Sequence, residues 1–208
     1  DGKIYFVGGW TSSSHNTAER YDPATNQWET LNSLSVAREG MAAAVLNGKF
    51  YAIGGQDLAS VEIYDPATGQ WSAGPALPSA IESGTAITVD GKILLVGGWN
   101  SANQNQVLEL DPATNQWSQK APMPTARTAM KLVVLDGKVW AIGGNDGSNT
   151  NKVEIYDVAA NTWTTGPSLT TARHWPSAWV ANERVFVASG GDGGGSYLNS
   201  IEVYDPAT

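Results

Sequence analysis

Arg38, Arg127 and Arg173 stand at equivalent positions of a repeating pattern, with Ile81 breaking the series. A guanidinium is a rigid fork of donors that matches a carboxylate bidentately, so a ring of such groups would take an acidic peptide or a carboxylated sugar. The same fork has a second use. It can pair with a nearby Glu, such as Glu39 or Glu62, and tie neighbouring units together. A second set is aromatic: His174-Trp175-Pro176-Ser177-Ala178-Trp179 puts two indoles and a proline where equivalent segments carry small residues, and Trp10 and Trp99 each follow a glycine pair. Flat indoles beside Asn, Gln and Ser suit sugar stacking or the anchoring of a protein partner, and they also fill cores. His15 completes the candidate ligand-binding set of Arg38, Arg127, Arg173, His174, Trp175, Trp10, Trp99 and His15. Acid–base chemistry would need Glu39, Glu82, Arg173 and His174 to converge, with a catalytic group within about 2.6–3.2 Å of the proton it moves.

These residues must be positioned by something that repeats. A short apolar run starting with Lys or Arg ends five times in paired small residues: Gly8-Gly9, Gly54-Gly55, Gly97-Gly98, Gly143-Gly144 and Ser189-Gly190. The second members are 46, 43, 46 and 46 residues apart, a period that marks a repeat architecture. The second unit reads as four strands. Residues 41–46 form an apolar run, Asn47-Gly48 a two-residue hairpin turn, and 49–53 the returning strand. A polar loop leads to a third strand at 61–64, which turns through Asp65-Pro66-Ala67-Thr68-Gly69 into a fourth at Gln70-Trp71. Each unit is therefore an antiparallel meander.

Gly-Gly after an apolar strand, then Glu-x-Tyr-Asp-Pro and a Trp six residues past the Asp, resembles the kelch repeat of β-propellers. Glu19, Tyr21 and Trp28 carry the pattern, as do Glu62, Tyr64 and Trp71, and Glu154, Tyr156 and Trp163. The third copy departs, with Leu108 and Leu110 in place of Glu and Tyr beside a retained Trp117. The resemblance covers essentially the whole chain. It implies an all-β, kelch-type propeller segment of four-stranded antiparallel blades, about four and a half of them, with the 41–46 type of strand innermost. It also implies that the arginine positions lie near the mouth of a central channel, where ligands are met. Compact residues such as Ala42, Ala43 and Ala44 suit a crowded inner strand, and the Tyr and Trp of each unit are large enough to fill the space between blades toward the rim. Lys131 stands at the inner-strand position of Ala42, Thr85 and Ser177, in or beside the channel.

The meander geometry assigns two faces. Loops between second and third strands (10–17, 56–60, 99–106, 145–152 and 191–200) emerge with the inter-blade links, and the hairpin turns emerge opposite. The first set varies and the second is nearly uniform, so function is expected on the variable face.

Several chemistries are disfavoured. The chain has 208 residues, a net charge of −8 and scattered basic residues, which argues against nucleic acid. No apolar stretch approaches the roughly 18 residues of a membrane span. The absence of Cys removes disulfides and thiol catalysis, and with them the cross-linked Cys-Tyr chemistry of copper oxidases resembling galactose oxidase. Two histidines cannot form a three-His metal site. The run at 190–195 is Gly-rich but no GK[ST] follows, and Asp146-Gly147-Ser148-Asn149 lacks EF-hand spacing. No cofactor or metal is expected.

The units are approximately 1–34, 35–77, 78–123, 124–169 and 170–208, one propeller segment expected to be truncated at both ends. The first unit opens at an Asp-Gly turn and the last stops inside an Asp-Pro-Ala-Thr turn. At roughly 46 residues per blade the parent is expected to have about six blades. The functional expectation is a binding scaffold for a protein, peptide or glycan, with a sugar-processing enzyme resembling kelch-type epimerases or mutarotases as the alternative. Asn, Thr and Gln richness leans toward a bacterial extracellular or cell-surface setting.

Overall fold

The computed structural model describes residues 2–206, and these form five antiparallel sheets and no helix. The first blade holds β1 (Ile4–Val7), β2 (Ala18–Asp22) and β3 (Gln27–Thr30); the second β4 (Ala42–Leu46), β5 (Lys49–Ile53), β6 (Val61–Asp65) and β7 (Gln70–Ala73). The third is β8 (Thr85–Val89), β9 (Lys92–Val96), β10 (Val107–Asp111) and β11 (Gln116–Gln119); the fourth β12 (Lys131–Leu135), β13 (Lys138–Ile142), β14 (Val153–Asp157) and β15 (Thr162–Thr165). The fifth has β16 (Ser177–Ala181), β17 (Arg184–Ala188) and β18 (Ile201–Tyr204). Each sheet is a simple meander in chain order, three of them four-stranded and two three-stranded. The molecule thus has five blades, where the sequence implied about four and a half.

Turn chemistry sets the meander. Asn47-Gly48, Asp90-Gly91 and Asp136-Gly137 have positive φ at both residues (51° and 75°, 48° and 71°, 52° and 70°), the signature of the two-residue turn that matches strand twist. Asn182-Glu183 holds the same conformation without glycine, at 49° and 60°. At the opposite bend of each full blade the Asp side chain accepts from a backbone N–H within the turn, as Asp65 does from Ala67 at 2.9 Å and Asp111 from Ala113 at 2.8 Å. The lysine opening the second strand pairs with that Asp, as in Lys49–Asp65 at 2.9 Å.

The core lies between blades as four apolar clusters. Ala42, Ala44 and Leu46 pack with Ile93, Leu95 and Leu110 between the second and third. Leu94 and Val96 meet Leu132 and Val139 between third and fourth, and Val133 and Leu135 meet Val185 and Val187 between fourth and fifth. Ala18 and Leu31 close on Tyr64 between first and second. Toward the rim the unit aromatics meet in tilted pairs, Tyr64–Trp71 at 5.2 Å and Tyr156–Trp163 at 5.0 Å between centroids. The indole N–H of Trp71, Trp117 and Trp163 donates to the carbonyl of Asn32, Pro75 and Ala121, at 2.7, 2.8 and 2.9 Å, so each outer strand is pinned to the end of the previous blade. These three indoles are half-buried. Trp28, at the same place on the first blade, is 55% exposed.

The outward faces of the terminal blades carry apolar side chains in solvent: Ile4, Phe6 and Trp28 on the first, Trp179, Ile201 and Val203 on the fifth.

Candidate functional site

The glycine pairs build the joints between blades. Gly8, Gly54, Gly97 and Gly143 have φ near +63°, and a Cβ on any of them would lie 2.5–2.6 Å from the carbonyl of Arg38, Ile81, Arg127 or Arg173. Only glycine lets the link pass so close; Ser189 takes the equivalent place in the fifth blade, with no link packed on it among the described residues. The second glycine then donates its N–H to that same link: Gly9 to Arg38 at 2.8 Å, Gly55 to Ile81 at 2.9 Å, Gly98 to Arg127 at 3.1 Å and Gly144 to Arg173 at 2.8 Å.

While the carbonyl faces back, the arginine side chain runs forward into the next blade. Arg38, Arg127 and Arg173 are 1%, 0% and 0% exposed, so none reaches the channel mouth. Arg38 donates to Glu62 at 2.9 Å and to the carbonyls of Gly54 and Ser60 at 2.9 and 2.8 Å. Arg127 donates to Glu154 at 2.9 Å and to the carbonyls of Gly143, Lys152 and Ala141. Arg173 pairs with Glu202 at 2.7 Å. Burial holds the Arg127 guanidinium below its ordinary value against the pull of Glu154 and Asp146. For Glu62 burial pushes upward, but the Ser35 N–H and Arg38 outweigh it and the carboxyl ends below its usual range. Protein acceptors occupy these forks, all but the Nε–H of Arg127, which has no partner among the described residues; this is the geometry of the second use, the tie between neighbouring units, rather than of ligand contact.

The mouth itself is made by the residues just after each arginine. The next residue forms an isolated bridge or hydrogen bond with the loop of its own blade: Gln56 to Glu39, Trp99 to Glu82, Asn145 to Thr128 and Gly191 to His174. Links and variable loops thus share one face, as the meander requires. One position further, Gly40, Ser83, Ala129 and Trp175 all have left-handed φ, 59°, 53°, 55° and 47°. They are chained by their backbones, Ser83 N–H to Gly40 at 2.7 Å, Ala129 to Ser83 at 3.3 Å and Trp175 to Ala129 at 2.7 Å. An arc of hydrogen-bonded backbone therefore rims the channel, and non-glycine residues are held there in a conformation costing roughly 1–2 kcal/mol each.

Above this arc lies a concavity of about 460 Å³ bordered by residues from all five units. Trp10 and Trp175 border it, 64% and 65% exposed, with Met41, Met130, Glu39 and Glu82. Of the eight expected site residues, the structure brings these two tryptophans together. Trp99, 45% exposed, borders a neighbouring hollow of about 260 Å³ with Gln56 and Asp57, and Glu82 is the wall shared by both. His174 contacts the carbonyl of Gly191 through Nδ1 at 3.1 Å and lies against Trp175, while His15 contacts the Thr11 hydroxyl at 2.7 Å; neither borders the concavity. Sequence reasoning did not place Ser83, Ala129, Met41 and Met130 at the mouth. Counting two and three residues on from each Arg or Ile81 would have found them.

Among the described residues no helix is long and apolar enough to cross a membrane, and no three or more His, Cys, Asp or Glu gather as metal ligands.

Comparison with known proteins agrees with this architecture. A segment is 41% identical over 54 residues to Kelch-like ECH-associated protein 1B of Danio rerio, covering 26% of this chain and 9% of that protein. Another is 44% identical over 55 residues to F-box/kelch-repeat protein At5g26960 of Arabidopsis thaliana, covering 26% and 13%. The matched stretch spans 13% or less of each of these relatives. The solved structure of YjhT superposes with a TM-score of 0.86 at 18% identity, over 99% of this chain and 82% of that one, a likeness of fold. The model of the KLHDC2/KLHL20/DRC7 Kelch-repeats domain matches residues 1–144 and 63–208, and with the meander blades and glycine joints described above this chain belongs to the kelch-repeat β-propeller family.

Proposed function

We propose that this chain is a binding scaffold that takes a protein or peptide segment at the concave mouth of its loop face. The observation that carries the reading is the pair Trp10 and Trp175, held largely in solvent on a rigid rim around a concavity of about 460 Å³. Large aromatics presented on a pre-formed surface are the anchors that dominate protein recognition, and the volume is within the usual range of ligand clefts. Catalysis is less well served. Of the acid–base set, Arg173 is inside the fifth blade on Glu202 and His174 does not border the concavity. A glycan is the second reading, favoured by the exposed indole faces of Trp10 and Trp99.

Selection of a random displayed-peptide library against the 1–208 chain tests the reading. Selected peptides should lose binding to the Trp10→Ala/Trp175→Ala variant and keep it for Ala113→Lys, which alters the opposite face. Peptides indifferent to the mouth variant, or no selection at all, would count against it.

A further inference from the structure

Resting on that reading, we infer that the mouth selects a cationic group, the Lys or Arg side chain of a basic segment, rather than the acidic ligand a ring of arginines would suggest. The three link arginines are buried and each is already paired with a glutamate. The charge left facing the concavity is of the opposite sign. Glu39 and Glu82 border it, half-buried, and among the described residues neither carboxylate has an ion pair or a hydrogen bond. No Lys, Arg or His borders it. Lys131, next after Met130, shares a strand face with Val133 and Leu135, which pack toward the fifth blade, and it is not part of the wall.

The other wall components fit the same ligand. Indole faces attract ammonium and guanidinium groups, and the half-buried thioether of Met41 gives an adaptable apolar surface for the methylenes of a long side chain. The net charge of −8 adds a long-range field of the right sign for drawing in a basic partner. Glu82 also borders the hollow under Trp99, so a second cation a short distance along the ligand would meet the same carboxylate and another indole.

The test uses four capped tripeptides, acetyl-Gly-X-Gly-amide with X as Arg, Lys, Gln or Glu, titrated to about 20 mM because single side-chain contacts give millimolar affinity. The indole N–H resonances of Trp10 and Trp175 report binding in the 1–208 chain. The Arg and Lys peptides should shift both and bind about fivefold or more tightly than the Gln peptide, with the Glu peptide weakest. Added salt should weaken the Arg peptide in the unaltered protein, and Glu39→Gln/Glu82→Gln should reduce its affinity by about fivefold. Equal or tighter binding of the Gln or Glu peptide, insensitivity to both salt and the double substitution, or silence of both indoles with all four peptides would overturn the inference. Equal or tighter binding of the Gln or Glu peptide at these indoles would overturn only the charge preference and leave the mouth as a binding site; silence leaves the broader reading to the library selection.

Discussion

Ile81 and Leu108 belong to one apolar cluster between the second and third blades, at the two places that Arg38 and Glu62 hold one unit earlier. The joint has thus been built in two ways in one molecule, three times as a buried ion pair and once from aliphatic residues. A buried pair repays its desolvation only with good geometry, and apolar replacement of both partners is often neutral. Glu62→Ala, which leaves Arg38 buried without its counter-charge, should destabilise the chain by about 3–5 kcal/mol. Arg38→Ile/Glu62→Leu should recover most of that. Urea unfolding of the three proteins checks it, and a double variant no more stable than Glu62→Ala would show that the two joints are not interchangeable.

The outer-strand tryptophans should divide by position. Trp117 donates to Pro75 across the blade boundary and is half-buried, so Trp117→Ala is expected to cost about 3 kcal/mol. That corresponds to roughly 6–12 °C in melting temperature for a chain of this size. Trp28→Ala, at the same repeat position but mostly in solvent, should cost under about 1 kcal/mol. Equal losses in thermal unfolding would contradict the environments described.

These contrasts show what was legible in the residues alone. Period, turn chemistry and the Tyr-Trp spacing give the blades, because those signals are local and agree with one another. The arginines were placed on the correct link but their direction was open, since sequence does not say whether a long side chain runs toward a channel or into the next sheet. The loss of Arg at Ile81 together with the loss of Glu at Leu108 was the available clue that the two belong to one contact. The left-handed rim was hidden for a different reason: Ser83, Ala129 and Trp175 are residue types that give no warning of positive φ, and only Gly40 does.

Acid should loosen the joints. Burial pushes Glu62 and Glu202 upward, but the N–H groups of Ser35 and Thr170 with Arg38 and Arg173 outweigh it, so both carboxyls stay below their ordinary values. The unfolded chain then binds more protons, and the stabilisation is present in full above the unfolded Glu value of about 4.3 and lost as pH falls through the lower folded values. Melting temperature should be flat above about pH 5 and decline below about 4.3. In Arg38→Ile/Glu62→Leu the decline should be shallower. An equally steep decline in that variant would mean that other carboxylates govern acid unfolding.

Trp175 combines a left-handed backbone at φ 47° with a side chain mostly in solvent, so it contributes little burial and carries backbone strain. Trp175→Gly restores the residue type found at Gly40. Relief of roughly 1–2 kcal/mol of strain opposes about 0.5–1 kcal/mol of added chain entropy in the unfolded state. Stability should therefore stay level or rise by up to about 1.5 kcal/mol, while mouth-dependent peptide binding falls. A fall in stability of more than about 1 kcal/mol would show that the indole is a structural support.

The 1–208 chain should self-associate. Phe6 and Trp28 touch on the outward face of the first blade, at 5.2 Å between centroids and beside exposed Ile4. On the fifth blade Trp179 stacks on Phe186 at 5.4 Å next to Ile201 and Val203. Each is the kind of surface that elsewhere in the molecule is covered by a neighbouring blade, and exposed apolar patches of this sort drive association. Light scattering at micromolar concentration should report species larger than a monomer. Phe6→Lys/Trp179→Lys, which puts charge on both faces without touching the inter-blade clusters, should shift the population toward monomer. A chain that is monomeric across the concentration range before substitution would mean that the two faces are too small or too far apart in shape to pair.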